Sequence, residues 1–254
     1  MTKKGEKEFS IPYTKLATFY DRLMNKNKYT KWKKLISKVI NRYNIPANLC
    51  IDLACGTGNI SKIMIDLGFK VVGFDKSPEM IKVAQKKVPK GQYFCSNLNN
   101  FELPTDIKNK TSLAVSFYDS LNYILTTKEL LQVFKAIYNN IPSSAIFLFD
   151  MNTTEHVKEA QKFETTIYND NDCYCIFRYG GKNKLWILDI DIFIKEDLCY
   201  RLVNEQHKER GYDRKEIESL LNKAGFNLME VQKDYKTSKD KKYLSRLYFV
   251  AKKP

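Results

Sequence analysis

One segment constrains this chain more than any other: Ile51-Asp-Leu-Ala-Cys-Gly-Thr-Gly-Asn59. An apolar strand-length run, Leu49–Leu53, ends in a glycine-rich turn. An amphipathic stretch follows, with Ile60, Ile63, Met64 and Leu67 on one face. Glycines at such a turn let backbone N–H groups approach a ligand, and the opening helix presents its positive end there. Seventeen residues past Gly58, a second apolar run, Lys70–Phe74, ends at Asp75. A carboxylate at that place in a βαβ unit holds two ribose hydroxyls. The two segments together predict a nucleoside site at the carboxyl edge of a parallel sheet.

The rest of the chain supplies the matching alternation. Ser77-Pro78 opens a helix as N-cap and first helical residue. Gln92–Cys95, Ser112–Phe117 and Ala145–Asp150 read as strands. Thr126-x-x-Glu129 is a capping box ahead of Leu130, Val133, Phe134, Ile137 and Ile141. Alternating strands and helices imply a parallel sheet covered on both faces. Beyond Asp150 the pattern changes. Residues 163–208 read as strands alone, with Gly180-Gly181 as a hairpin turn and Ile190, Ile192 and Ile194 on a buried face. Asp213-x-x-Glu216 then caps a helix closed by Gly225, and strands over 227–231 and 243–251 end the chain. Residues 13–45 read as helical, from Leu16, Phe19, Tyr20 and Leu23 at helical spacing, and residues 1–9 as a charged tail.

Several ligand classes are excluded or weakened by spacing. No G-x-x-x-x-G-K-[ST] occurs, which removes the P-loop. Ala54-x-Gly56-x-Gly58 lacks the third glycine of the dinucleotide fingerprint, so a pyrophosphate fits less well. The loop instead resembles the acidic-x-small-x-Gly-x-Gly turn of class I S-adenosylmethionine-dependent methyltransferases. Asp75 with Ser77-Pro-Glu-Met80, and the closing helix–Ala224-Gly225-Phe226–strand–strand, match that family too. The resemblance covers about residues 13–254. It is nearest to small-molecule and sugar N-methyltransferases with an inserted lid sheet.

The resemblance implies an α/β fold with a Rossmann-like, mostly parallel sheet, an antiparallel closing hairpin and a small inserted antiparallel β lid. It implies a tail and cap over 1–45, a core over 46–160 with 209–254, and a lid over 161–208. S-adenosylmethionine would be the donor and S-adenosylhomocysteine the product. Asp52 would order the turn and the methionine ammonium, and backbone at Ala54, Gly56 and Gly58 would border the methionyl and ribose part. Asp75, with Lys76 beside it, would take the ribose, Met80 would pack on adenine, and Asn97 with Leu98 would meet the adenine edge. Tyr20 would close over the methionine carboxylate, with Tyr118 near it. Packing alone is a nearly equal reading for Tyr13 and Tyr20, and the more usual one for Met80.

The acceptor side falls after the fourth strand, at Tyr118-Asp-Ser-Leu-Asn-Tyr123, where Asn122 faces the substrate in this reading. Related enzymes carry Ser-x-x-His there. This chain has Ser120-x-x-Tyr123, so Tyr123, Tyr13 and His207 are the catalytic candidates. Glu205-x-His207 resembles a lid strand lining the acceptor pocket, although a solvated strand edge is an equal reading. Arg178 would meet an acidic acceptor or sit on the lid rim, and His156 reads as surface. The lack of a histidine at the acceptor place favours an amine over an alcohol, because an alcohol needs a positioned base.

The formal net charge is +14, but 36 of the 43 basic residues are Lys and they are spread along the chain. Arg is the residue suited to bidentate phosphate contact. An RNA methyltransferase is therefore the second reading, and a non-catalytic nucleotide-binding protein the third. No metal is expected: six cysteines lack zinc spacing and read as reduced thiols of a cytoplasmic protein. No apolar run has the length of a membrane span. A monomer or homodimer fits the sequence equally.

Overall fold

The computed structural model describes residue 9 and residues 12–23, 26–169, 173–238 and 241–254. The expected tail over 1–9 thus lies, except for its last residue, outside the described residues.

The chain runs through a 3-10 turn at Leu16–Thr18 and short helix α1 (Tyr20–Leu23) into α2 (Lys26–Arg42). It then passes through β1 (Leu49–Leu53), α3 (Asn59–Asp66), β2 (Lys70–Asp75), α4 (Pro78–Lys87), β3 (Gln92–Cys95), α5 (Thr105–Lys108) and β4 (Thr111–Ser116). A 3-10 turn at Ser120–Tyr123 leads to α6 (Thr127–Asn140), β5 (Ile146–Asn152) and α7 (Thr154–Ala160). β6 (Thr166–Asn169), β7 (Cys173–Lys182), β8 (Leu185–Glu196) and β9 (Cys199–Arg210) follow. α8 (Arg214–Ala224), β10 (Asn227–Ser238) and β11 (Lys241–Lys252) close the fold.

The main sheet has the order β10-β11-β5-β4-β1-β2-β3. β3, β2, β1, β4 and β5 are parallel, and β11 is antiparallel to both β5 and β10. β1 lies between β2 and β4, so the connections diverge there and leave a crevice at the carboxyl edge. Apolar clusters cover both faces. α6 and α8 supply Leu130, Phe134, Ile217 and Leu221 on one side. α2 and α3 supply Trp32, Ile36, Ile63 and Met64 on the other. Phe147, Phe149 and Phe249 stack across β5 and β11 and are fully buried; each such burial is worth about 1.5–3 kcal/mol.

The second sheet, β6-β7-β8-β9, is wholly antiparallel. Its inner face carries Cys173, Cys175, Ile190, Ile192 and Val203, which pack on Leu16 and on the half-buried Tyr13, Phe19 and Tyr20. The segment over 12–23 is thus a strap held under the lid sheet.

Three expectations need correction. The helical reading over 13–45 holds only for Tyr20–Leu23 and Lys26–Arg42: Tyr13 has φ +65, and Leu16–Thr18 is a 3-10 turn. The apolar spacing at Leu16 and Phe19 serves packing against the second sheet. The hairpin turn is not at Gly180-Gly181, which lie inside β7 opposite Ile187 and Trp186. The chain turns at Asn183-Lys184, where Asn183 has φ +58. Gly181, at φ +109, is needed because a Cβ there would meet the Leu185 carbonyl. His156 is buried, in α7 beside Tyr243 and Trp186.

The helix caps match their sequence signatures. Ser77 Oγ accepts the Met80 N–H, and Thr126 Oγ accepts the Glu129 N–H. Asp213 and Glu216 form a reciprocal capping box, with Gly225 left-handed past the helix end. Replacing Asp213 with Ala removes a cap and the Lys184 partner at 2.8 Å. A loss of about 1 kcal/mol is expected, measured by urea denaturation.

Candidate active site

A cavity of about 300 Å³ opens where β1, β2 and β4 end. Its floor is the turn after β1. Ala54, Gly56 and Gly58 all take positive φ there, at +54, +52 and +81. A Cβ on Gly56 would meet nothing within 4 Å, so its backbone faces open space. Gly58 instead caps α3 and packs closely: a Cβ there would lie 3.3 Å from Ala84 and Val88.

Two carboxylates organise this floor. Asp75 Oδ2 accepts the Gly56 N–H at 2.9 Å, and Oδ1 accepts the Ser77 N–H at 2.9 Å. Burial pushes the Asp75 carboxyl above its usual value, although the two N–H groups oppose this. Asp52, fully buried, accepts the Ser61 hydroxyl at 2.6 Å. Burial pushes its carboxyl up to about 7, with the Asp75 charge adding to the rise and Ser61 opposing it.

The strap forms the roof. Asp21 accepts from Thr57 Oγ1 at 2.7 Å, Asn59 Nδ2 at 2.8 Å and Lys87 Nζ at 2.6 Å, which ties α1 to the glycine turn. These three donors hold the Asp21 carboxyl below its usual range despite partial burial. Ser77 Oγ donates to the Tyr13 carbonyl at 3.2 Å. Glu205, completely buried on β9, accepts the backbone N–H groups of Tyr13, Lys15 and Leu16 at 2.8, 2.9 and 3.0 Å. Burial alone would raise this carboxyl; His207 and the three N–H groups outweigh it and hold it low.

Along β9 the sheet period of two puts Glu205, His207 and Glu209 on one face. His207 Nδ1 lies 2.9 Å from the Tyr123 hydroxyl, which in turn meets the Tyr13 hydroxyl. Burial pushes both phenols well above their ordinary value. Behind them Arg246 pairs with Asp150 at 2.5 Å and Asp119 at 3.1 Å, and Asn152 donates to Asp119 and Glu209.

Most residues singled out by sequence converge on the cavity. Tyr13, Tyr20, Asp52, Ala54, Gly56, Asp75, Lys76, Met80, Asn97, Leu98, Tyr118 and Tyr123 all line it. Gly58 stands just behind, and His207 and Glu205 lie one and two side chains back from Tyr123. Two do not converge. Asn122, fully buried, bridges the backbones of Asn152 and Arg210. Arg178 pairs with Asp191 at 2.5 Å in the lid sheet. Sequence reasoning passed over Tyr29 and Trp32, cavity residues three apart on α2, and Asp21, which follows Tyr20 directly. It also passed over the Asp119–Asp150–Arg246 group, whose members are far apart in sequence and carried no local signal.

The cavity, its glycine floor and a carboxylate at the end of β2 fit a nucleoside donor. Residues 50–142 match the methyltransferase domain family. YqeM of Bacillus subtilis (strain 168), which bears a methyltransferase name, is 30% identical over 95% of this chain and 97% of its own. This chain is a class I S-adenosylmethionine-dependent methyltransferase. An S-adenosylmethionine-dependent methyltransferase from Clostridium acetobutylicum ATCC 824 is 26% identical, with TM-score 0.79 over 94% of this chain and 97% of that one. The sugar N-methyltransferase KedS8 from Streptoalloteichus sp ATCC 53650 shares the fold at 13% identity, with TM-score 0.73 and 98% of each chain covered. Among the described residues of this methyltransferase, no helix is long and apolar enough to cross a membrane.

The raised Asp52 carboxyl makes the methyltransferase pH-sensitive. Its folded value near 7 exceeds the unfolded one, so ionisation penalises the folded state. The penalty is absent below about pH 4, builds as pH rises and levels off above pH 7. Stability of the wild type should therefore fall more between pH 5 and pH 8 than that of Asp52→Asn. Urea denaturation across that range measures the difference, and parallel curves would remove Asp52 as its source.

Proposed function

We propose that this methyltransferase acts on a small-molecule acceptor, through an amine nitrogen. The observation that carries this reading is the acceptor-side wall, built from two enclosed phenols, Tyr13 of the strap and Tyr123 of the turn after β4. Both phenols are pushed upward by burial, so neither offers a phenolate to strip an alcohol. An amine needs only to shed its ammonium proton to free the attacking lone pair, a milder demand than ionising an alcohol. The donor's sulfonium supplies an activated methyl, and the protein's part is alignment and exclusion of water, worth about 7–11 kcal/mol in favourable cases.

In this reading Asp75 takes the ribose hydroxyls, and Lys76 flanks it. Met80 packs on adenine, whose edge meets Asn97 and Leu98. Asp52 and the backbone at Ala54, Gly56 and Gly58 border the methionyl part, and Tyr20 and Tyr118 cover it. Lys76 Nζ also lies 5.7 Å from the Tyr123 ring centre, at the boundary between donor and acceptor. Arg178 and Asn122 have no place in acceptor binding here, because Asp191 and the backbone hold them elsewhere.

The test is transfer of an isotopically labelled methyl group to a panel of amino sugars, amino acids, phenols and tRNA, read by mass spectrometry. Methylation of an amine is expected. Turnover of tRNA alone, with affinity falling steeply with salt, would overturn the reading. Asp75→Ala should weaken S-adenosylhomocysteine binding by about 1–3 kcal/mol, the scale of lost charge-assisted hydrogen bonds. Isothermal calorimetry measures it, and unchanged affinity would take Asp75 out of the site.

A further inference from the structure

The acceptor wall does not end at the two phenols. Tyr13 Oη meets Tyr123 Oη, and Tyr123 Oη lies 2.9 Å from His207 Nδ1. The His207 ring is almost fully buried, and its Nε2 faces Glu205 Oε2 at 3.3 Å, within ion-pair reach but off the line of a hydrogen bond. Glu205 has no exposed surface and sits in a cage of three strap N–H groups. A buried carboxylate of this kind is costly unless paired. The backbone groups hold it ionised, yet its remaining face is turned to an imidazole rather than to a permanent cation. Tyr13 itself is held in the left-handed region, a strained setting for a non-glycine residue. Its N–H is bound by Glu205 and its carbonyl by Ser77.

The geometry points to a proton relay that runs from the cavity through Tyr13 and Tyr123 to His207, with Glu205 as the countercharge. This rests on the amine reading above. An amine arrives as an ammonium ion and must lose one proton before its nitrogen can attack. Tyr13 Oη accepts that proton while its own hydrogen passes to Tyr123 Oη. Tyr123 in turn gives its hydrogen to His207 Nδ1. Both phenols remain neutral throughout, which suits groups that burial makes poor acids. The proton ends on an imidazolium opposite Glu205, and the freed lone pair forms the N–C bond as the C–S bond breaks with its electrons left on sulfur. The product leaves with a methyl in place of the lost hydrogen, and the imidazolium returns its proton to water when the site opens. His207 acts through Tyr123 and is a positioning residue. The ionisable groups around its ring are Tyr13 from the strap, Tyr123 from the turn after β4 and Glu205 from its own strand, with Leu188 opposite on β8. Glu209 and Asp119 act on Tyr123 from behind.

The chain has two histidines, so the wiring is directly observable. Full-length protein labelled with ¹⁵N-histidine and saturated with S-adenosylhomocysteine would be examined by long-range ¹H–¹⁵N correlation at neutral pH. His207, identified by loss of its signals in His207→Gln, is expected as a neutral ring with its proton on Nε2. Tyr123→Phe should shift the Nδ1 resonance and leave S-adenosylhomocysteine affinity within about twofold. With an amine turned over by the panel, His207→Gln and Tyr123→Phe should each lower kcat at least about tenfold with KM little changed. The double variant should be no slower than either single one, because the residues act in series. An imidazolium or an Nδ1–H ring in the resting protein would overturn the relay, and so would multiplicative losses in the double variant. Failure of every amine in the panel would sink the amine reading instead, while the spectra alone still decide the wiring.

Discussion

One carboxylate, Asp75, joins the exits of β1 and β2. Its two oxygens take N–H groups from opposite sides of the crevice, Gly56 on the turn and Ser77 at the cap of α4. This fixes the separation of the two strand ends and sets the curve of the glycine turn. Parallel strands bring several loops to one edge, but they do not by themselves shape a cavity between those loops. The shape comes from satisfying backbone donors that a buried turn would otherwise leave unpaired. Ala54, without glycine's freedom, also stands at φ +54, so the turn is bent by its closures as well as permitted by its glycines.

The roof depends on the same principle with the partners reversed. The strap has little regular structure of its own, and its backbone donors are met by a side chain from another sheet. Glu205 meets three of them, and Asp21 anchors the far end to Thr57, Asn59 and Lys87. Floor and roof are therefore one connected structure. The lid sheet holds the strap, the strap carries Tyr13 and Tyr20, and those rings close the cavity. A displacement of β9 would reach the glycine turn through two hydrogen-bonded steps.

How much of this the sequence made legible depended on the range of the interaction. β1 and β3 fall at the residues expected, because a continuous apolar run bounded by turn residues carries its own limits. The caps at Ser77, Thr126 and Asp213 are contained within four residues each and were readable for that reason. The strap was not readable. Its spacing at Leu16, Phe19, Tyr20 and Leu23 is helical, yet the lid sheet and Glu205 override it, and both lie well over a hundred residues away. The terminal hairpin was read too short, since Lys233, Asp234 and Lys236 look like loop residues although they pair with β11. Gly180-Gly181 misled in the opposite way: Gly181 answers to the close approach of Leu185, not to a turn. Within the site, the glycine loop and Asp75 were legible as a local pattern. The Tyr13–Tyr123–His207 line, assembled from three distant segments, was legible only as separate candidates.

The acids behind Tyr123 show how the fold tolerates charge there. Asp119, Asp150 and Glu209 are all buried, and Arg246 is the guanidinium among them. One cation cannot balance three anions in a medium that stabilises charge poorly. Arg246 contacts Asp119 and Asp150, whose charges hold the guanidinium well above its ordinary value against the effect of burial. Glu209 receives only the Asn152 amide, and burial together with the Asp119 charge pushes its carboxyl far upward. The excess of negative charge thus falls hardest on Glu209. Tyr118 and Asp119 both take positive φ at this point, +68 and +55, and the Asp119 N–H is tied to Asp150 at 2.8 Å. The ion pair therefore has a mechanical role: it holds a strained turn in place and so fixes Tyr118 and Tyr123 in the wall of one cavity.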